Sequence, residues 1–218
     1  MQTMGMKVTY LYSVLGWVVW CALHSVLISI PVTEYLKRKL GEGFRFYRLF
    51  YNAFSLVSLI PVLLYSISIR QDSIFRWEGP LAVFQYLLLA ASIGLFIIGG
   101  RNYSLFQFLG IAQIKKGGAD RSLSGYGQFV ISGIHTAIRH PWYLGGMMIV
   151  WARDLGLSAI LNNLVIDFYF VIGAILEERK LVREFGEPYR KYQREVSMLL
   201  PYKWLKTKIG GALQTQRL

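Results

Sequence analysis

Three long stretches of the sequence contain no aspartate, glutamate, lysine or arginine. They cover residues 8–30, 49–69 and 79–100, and each is longer than 20 residues. A helix of about 20 apolar residues crosses the roughly 30 Å hydrocarbon core of a bilayer. Because hydrophobic residues make up 54% of the chain and its mean hydropathy is positive, we interpret these stretches as membrane helices.

A fourth apolar region covers residues 141–176 and is interrupted by Arg153, Asp154 and Asp167. It is too long for one membrane helix, so we interpret it as a helical hairpin. The first arm of the hairpin, which ends at residue 152, would rise only about 18 Å at 1.5 Å per residue. The fourth membrane helix is therefore expected to be short or tilted.

These stretches predict an all-α fold, namely a polytopic membrane bundle of five helices in one domain of residues 1–218. The predicted spans are about residues 8–30, 49–69, 79–100, 138–152 and 155–176. Beyond the last span, apolar residues continue a helical spacing until Gly186 and Pro188 end it. A second short amphipathic helix is expected to follow and to end at Pro201. Residues 177–201 are thus expected to fold against the cytoplasmic face.

The distribution of basic residues predicts the orientation of the helices. The net charge is +12, and short cytoplasmic loops carry an excess of Lys and Arg. With the N-terminus outside, segments 31–48, 101–140 and 177–218 face the cytoplasm and contain 20 of the 24 Lys and Arg. Because these residues flank apolar spans and do not form one basic face, we expect no nucleic-acid partner.

Few residues of the chain suit metal or redox chemistry. Cys21 is the only cysteine and lies in the first span, which excludes an intramolecular disulfide and a cysteine-rich metal site. The three histidines, at positions 24, 135 and 140, are too scattered to predict a metal site. Phosphate-binding loops, zinc-protease motifs and nucleophile elbows find no match. The first span is longer than a signal-peptide core, and we expect it to be retained.

The predicted topology brings two charged pairs to the same side of the membrane. Arg139 and His140 precede the fourth helix, and Glu177 and Glu178 follow the fifth. Each pair alone is explained by a membrane boundary, where arginine reaches the headgroups and glutamate is solvated. Two adjacent carboxylates repel each other, however, and need a cation. We expect their partners to be Arg139, His140 or a bound cation.

Three polar residues lie within the predicted spans. Asp167 shares a helix face with Glu178, about 16 Å away along the axis, and an intramembrane carboxylate suggests function. A structural role, as the partner of Arg153 or of an asparagine, is an equal alternative. His24 and Asn52 fall in the cytoplasmic halves of the first and second spans, where they either line a cavity or bond neighbouring helices.

Two motifs of the C-terminal half resemble a known signature. "GIHTAIRHPWYLGG" and, after the hairpin, "EERKLVREFGEPYRKYQREVSMLLP" are similar to integral-membrane S-adenosylmethionine-dependent methyltransferases. That group includes isoprenylcysteine carboxyl methyltransferases, phospholipid N-methyltransferases and methanethiol S-methyltransferases. "ALHSVLIS", "FRFYRLFYN" and "LFQFLGIAQ" resemble the methanethiol S-methyltransferase and NnrU-like branch more closely. Ser197 departs from the pattern, which usually has proline there, and we expect only a local change of chain path.

The resemblance implies S-adenosylmethionine as cofactor, bound at the cytoplasmic face of a prokaryotic membrane. It assigns Arg139 a catalytic role in orienting the methyl acceptor. The cofactor-binding residues that it implies are His140, Tyr143, Glu177 and Glu178, with Gln113, Gly133 and Pro141 as further candidates. Residues His24, Asn52 and Asp167 would then line the substrate cavity.

Methyl transfer from a sulfonium is an in-line displacement that needs alignment and exclusion of water, and no metal. The acceptor is left open among a thiol, a prenylcysteine carboxylate and a lipid, and the number of subunits is left open as well. Two alternatives remain at this point. One is an NADPH-dependent reductase of the sterol reductase type, and the other is a transporter or assembly factor that keeps the fold without catalysis.

Overall fold

The computed structural model describes residues 2–101, 106, 109–115 and 131–215. Within these residues the chain is helical apart from short connections and two isolated β-bridges, which confirms the all-α prediction. The helices are α1 (Gln2–Leu27), α2 (Ile30–Leu40), α3 (Tyr47–Ser68), α4 (Leu81–Gly100), α5 (Ile111–Lys115), α6 (Pro141–Trp151), α7 (Leu157–Phe185), α8 (Glu187–Glu195) and α9 (Tyr202–Thr215). Two 3-10 helices cover Gly41–Phe46 and Gly133–Thr136.

Four helical segments in the described part of the chain are long and apolar enough to cross a membrane. They are Gly5–Leu27, Ile30–Ser68, Leu81–Gly100 and Leu157–Phe185. The predicted fourth span corresponds to α6, which has 11 residues and is shorter than these four. The five-span count therefore stays a prediction, with α6 as its short member.

Helix α7 is longer than the fifth span expected at residues 155–176. It continues without interruption to Phe185 and ends at Gly186, whose φ of 64° favours glycine. Its carboxyl end therefore projects beyond the apolar part of the helix, as the spacing of residues after 176 predicted. This projection is the element on which Glu177 and Glu178 lie.

The helices pack in two groups that share α7. Helix α1 packs against α3 and α7, and α6 packs between α4 and α7. Two adjacent glycines allow the second group to approach closely. A Cβ at Gly145 would lie 3.2 Å from a ring carbon of Phe96 on α4, and one at Gly146 would lie 2.7 Å from Phe170 on α7. The short helix α6 is thus held between its neighbours at close range.

The turn of the hairpin is anchored by the segment that connects α3 to α4. Phe75 forms an antiparallel bridge with Leu155, and the Trp77 indole nitrogen donates to the backbone oxygens of Trp151 and Arg153. A Cβ at Gly156 would lie 2.4 Å from the Gln71 side chain, so a larger residue there would displace the glutamine. These contacts fix the positions where α6 ends and α7 begins.

The opposite end of the hairpin is closed by the chain that follows α7. Helix α8 folds back on α7, and Leu181, Tyr189, Tyr192 and Val196 form a small hydrophobic core. The expected second helix ends at Glu195 and not at Pro201. Residues 196–198 are instead extended, because the carbonyl oxygens of Ser197 and Met198 accept hydrogen bonds from the N–H groups of Arg139 and His140.

Candidate functional site

The carboxylate of Glu178 is the centre of a buried polar cluster. Its Oε1 accepts from Arg139 Nε at 2.7 Å and lies 3.0 Å from His140 Nε2. Its Oε2 accepts from Arg139 Nη2 at 3.2 Å and from Gln193 Nε2 at 2.7 Å. Only 9% of the side chain is exposed. Each carboxylate oxygen thus has two partners, and we call these four residues the Glu178 clasp.

The guanidinium of Arg139 is directed into the protein. Besides the two bonds to Glu178, its Nη1 donates to the backbone oxygens of Gln193, at 2.9 Å, and Val196. A bidentate arginine–carboxylate pair combines charge with fixed geometry. Arg139 therefore joins the start of α6, the end of α7 and the chain after α8 into one unit.

Glu177, the neighbouring carboxylate, forms a second and more open group. Its Oε2 accepts from the Tyr143 hydroxyl at 2.7 Å and lies 3.7 Å from His140 Nδ1. Its side chain is 21% exposed, compared with 9% for Glu178. The rings of His140 and Tyr143 are stacked, with centroids 5.2 Å apart and planes 5° from parallel. Tyr143 also stacks on Phe170, with centroids 5.6 Å apart, so its ring lies between His140 and Phe170. We call Glu177, Tyr143 and His140 the Glu177 edge, which holds a partly exposed carboxylate beside stacked rings.

The local sequence explains why the two groups meet. Pro141 occupies the first turn of α6, where its fixed φ suits a helix and its missing N–H costs nothing. The helix start packs on α4 at Gly99, where a Cβ would lie 2.9 Å from Pro141. Two adjacent residues at the end of α7 then point to either side of His140. The sequence prediction that Arg139 and His140 lie beside Glu177 and Glu178 agrees with these contacts.

Comparison with known proteins places the chain in a family. A family model described as "NnrU protein" matches residues 13–183, which is most of the chain. The chain belongs to the NnrU family. The match covers the four long apolar helices in full or in large part, and it includes both carboxylates at the end of α7.

Curated relatives of this NnrU-family chain carry one activity in their names. Methanethiol S-methyltransferase of Pseudomonas deceptionensis is 41% identical over 76 residues, 34% of this chain and 29% of the relative. Methanethiol S-methyltransferase 1 of Bradyrhizobium diazoefficiens is 38% identical over 71 residues, 32% of this chain and 25% of the relative. The protein of that name from Mycobacterium tuberculosis is 31% identical over 98 residues, 44% of this chain and 40% of the relative.

These matches are partial on both sides. The chain spans 29% of the Pseudomonas deceptionensis relative and 40% of the Mycobacterium tuberculosis relative. No solved structure is significantly similar to the chain. The names of the relatives therefore support a methyltransferase family.

The three further cofactor candidates lie on different elements. Pro141 directly follows His140 and is buried. Gly133 begins the 3-10 helix Gly133–Thr136 with a φ of 57°, and this helix packs against α4. Gln113 is half-buried in α5, which packs against the 3-10 helix Gly41–Phe46. Their roles toward a cofactor stay predictions.

The residues proposed for the substrate cavity have structural partners. The Oδ2 of Asp167 accepts from the Trp151 indole nitrogen at 2.7 Å, whereas Arg153 donates to Asn163 at 3.0 Å. The alternative that pairs Asp167 with Arg153 or an asparagine is therefore wrong, because the indole is the group that reaches it. The Oδ1 of Asp167 is buried without a hydrogen-bond partner.

His24 of the first predicted span bonds tyrosines of two other helices. The Tyr51 hydroxyl lies 2.6 Å from His24 Nε2, and the Tyr169 hydroxyl hydrogen-bonds His24 Nδ1. Asn52 follows Tyr51 on α3 and is half-buried. His24 thus links α1, α3 and α7 through two tyrosines that the sequence analysis did not single out.

Two parts of the cluster were missed from the sequence. Gln193 was not a candidate, although it donates to Glu178 and its carbonyl accepts from Arg139. Helix α9 was not predicted either, and its residue Lys203 donates its backbone N–H to the Ser197 hydroxyl at 3.1 Å. The available signals were the aromatic spacing of α8, which places Gln193 beside Tyr192, and Pro201 before a helix start.

Proposed function

We propose that this NnrU-family chain transfers a methyl group from S-adenosylmethionine to a small thiol at the cytoplasmic face of the membrane. The Glu177 edge carries the proposal, because it holds a partly exposed carboxylate beside two stacked aromatic rings. The names of the curated relatives support a thiol as acceptor. The orientation, with the N-terminus outside and the C-terminus in the cytoplasm, is part of the proposal and is supported by the basic segments.

The donor set of the Glu177 edge fits S-adenosylmethionine. That molecule has a sulfonium, an ammonium group, ribose hydroxyls and an adenine. A carboxylate attracts the cationic groups and accepts hydrogen bonds from the hydroxyls, so the partly exposed Glu177 suits both. Glu178 does not offer the same possibilities, since both of its oxygens are engaged by Arg139, His140 and Gln193.

The roles of the residues follow from this division. S-adenosylmethionine supplies an electrophilic methyl group when bound. Glu177, Tyr143 and His140 bind and orient it, and the Glu178 clasp holds His140 and the ends of α6 and α7 in place. Alignment of two reactants contributes much of the rate of a displacement reaction. The described contacts of Arg139 support a positioning role, and its direct contact with the acceptor stays a prediction.

The acceptor needs to lose a proton before or during the transfer. A thiol has an ordinary pKa near 8.5, and nearby positive charge favours the thiolate. The segments proposed to face the cytoplasm contain 20 of the 24 Lys and Arg. The new carbon–sulfur bond forms as the bond between the methyl group and the sulfonium breaks, and the bonding electrons stay with the donor sulfur. The proton is released to water.

The proposal is tested by calorimetric titration of the detergent-purified protein with S-adenosylmethionine. We expect the wild-type protein to bind and Glu177→Gln to bind at least about tenfold more weakly, because one charged interaction is lost. Glu195→Gln, which removes an exposed carboxylate of α8, is the matched control and should bind as the wild-type protein does. Absence of binding at millimolar cofactor, or equal affinity of the two variants, would refute the proposal.

A further inference from the structure

One face of α7 changes from apolar to basic along a single stripe. Phe168, Ile172 and Ile175 are 66%, 54% and 42% exposed. Arg179 and Arg183 are exposed and continue the same stripe toward the end of the helix. At 100° per residue, these five positions fall within an arc of roughly 80°. The apolar part of the stripe would match the acyl chain of a lipid, and the basic part would match an anionic headgroup.

The two arginines have no partner of their own in the described part of the chain. Neither makes a hydrogen bond or an ion pair there. The carboxylate of Glu178, next to Arg179, is already bonded by the Glu178 clasp, and that of Glu187, four residues after Arg183, lies beside Arg190 and Arg194. By contrast, Arg190 and Arg194 of α8 both pair with Glu187. Arg179 and Arg183 are therefore two positive charges whose counterion comes from outside the described residues.

A cavity of about 350 Å³ lies beside the pair. Its lining residues come from α7 and α8 and are Ile175, Glu178, Arg179, Val182, Arg183 and Gln193. The lining also includes the Glu178 carboxylate, whose charge is balanced by Arg139. The two guanidinium groups, the amide and the two apolar side chains suit an anionic headgroup whose chain leaves along the apolar stripe. Arginine is well matched to phosphate because its planar fork donates two parallel hydrogen bonds.

We propose that this cavity is a binding site for one anionic phospholipid. Arg179 and Arg183 bind the phosphate, and an acyl chain lies along Ile175, Ile172 and Phe168. The site adjoins the Glu178 clasp, since Gln193 lines the cavity and also donates to Glu178. Bound lipid therefore stabilises the clasp and raises the melting temperature of the protein.

The test uses native mass spectrometry of the full-length protein in detergent, titrated with phosphatidylglycerol or with phosphatidylcholine of the same acyl chains. We expect one phosphatidylglycerol to bind more tightly than phosphatidylcholine. Arg179→Gln/Arg183→Gln should weaken that binding roughly thirtyfold, about fivefold for each basic group near the membrane surface. Arg179→Lys/Arg183→Lys keeps the charge but loses the planar fork, so its affinity should fall between those of the wild-type protein and the glutamine pair.

Arg190→Gln/Arg194→Gln is the matched control, because it removes two exposed arginines at the same spacing whose partner is Glu187. Unchanged lipid affinity in this control supports the site, and an equal loss in both glutamine pairs overturns it. Competition by glycerol phosphate as effective as that by the lipid would indicate a free-anion site and overturn the proposal. A parallel loss of S-adenosylmethionine affinity in Arg179→Gln/Arg183→Gln would also overturn it, by assigning the arginines to the donor.

Discussion

Substitution of Glu178 by glutamine tests the Glu178 clasp most sharply. The carboxylate accepts from Arg139 through both oxygens and also bonds His140 and Gln193. Glutamine replaces one carboxylate oxygen by an NH2 group, which cannot accept the hydrogen bonds that this oxygen accepted. The guanidinium of Arg139 then keeps its burial but loses its counterion. The variant therefore combines an unpaired buried charge with at least one opposed donor pair.

The expected cost is large for a single substitution. Removing one member of a buried ion pair costs about 3–5 kcal/mol, and the 9% exposure of both side chains favours the lower end. A loss of about 3 kcal/mol lowers the melting temperature of a protein of this size by roughly 6–12 °C. Adding Arg139→Gln removes the unpaired charge. The double variant should therefore lose less melting temperature than the two single variants lose together.

The assay is thermal unfolding in detergent, followed by tryptophan fluorescence at constant heating rate. Glu187→Gln is the control, because Glu187 pairs with Arg190 and Arg194 on the surface with 70% of its side chain exposed. An exposed pair contributes about 0–1 kcal/mol, so this variant should melt within about 4 °C of the wild-type protein. The reasoning would be refuted if Glu178→Gln melted at the same temperature as Glu187→Gln and if the losses of Glu178→Gln and Arg139→Gln simply added in the double variant.

Two other predictions concern packing and pH. Gly146→Ala places a Cβ 2.7 Å from Phe170 and should lower the free energy of unfolding by about 1–3 kcal/mol. In the control Gly94→Ala the new Cβ meets nothing within 4 Å, so that variant should be neutral or stabilising in thermal unfolding. Equal melting temperatures of the two variants would contradict the packing. Burial lowers the pKa of His135 from its ordinary value of 6.5, so its contribution to stability is complete above pH 6.5 and is lost as the pH falls below it. His135→Gln should therefore lose less melting temperature between pH 7 and pH 5 than the wild-type protein, and identical pH profiles would contradict this.

The long helices were predictable because their physical signal is strong and local. Uncharged apolar stretches of membrane length mark α1, α3 and α4. The bounds of α3 and α4 lie within two residues of the predicted ones, whereas α1 begins six residues earlier and ends three residues earlier than predicted. The length of α7 was partly predictable, since Gly186 and Pro188 end a helical spacing that continues past Leu176. The short helix α6 shows the limit, because 11 residues between Pro141 and Trp151 satisfy no length criterion for a span.

The charged pairs of the site were predictable from topology, and their internal bonding was not. A hairpin returns Glu177 and Glu178 to the side of the membrane on which Arg139 and His140 lie. The rotation of α7 and the path of residues 193–198 decide which of the two carboxylates has both oxygens engaged in hydrogen bonds. The sequence gives no periodic signal for an extended segment that pairs with residues 138–140. Gln193 was missed because the aromatic spacing of α8 marks a helix but does not show which carboxylate that helix faces.

The partners of intramembrane polar residues were also hidden in the sequence. Asp167 bonds an indole N–H, and His24 bonds two tyrosines on other helices. Aromatic residues are abundant in the chain, with 14 tyrosines and 6 tryptophans, so no single one stands out as a partner. The choice among them is made by helix packing, which a single sequence does not display.

Methyl transfer by the purified protein tests the central claim most directly. The protein is incubated with methanethiol and S-adenosylmethionine that carries a labelled methyl group, and the labelled methyl thioether is collected from the headspace. We predict labelled product with the wild-type protein and with Glu195→Gln, and at least about tenfold less with Glu177→Gln at subsaturating donor. Absence of labelled product from folded wild-type protein that binds S-adenosylmethionine would contradict the thiol acceptor. Equal product from both variants would contradict the role of the Glu177 edge.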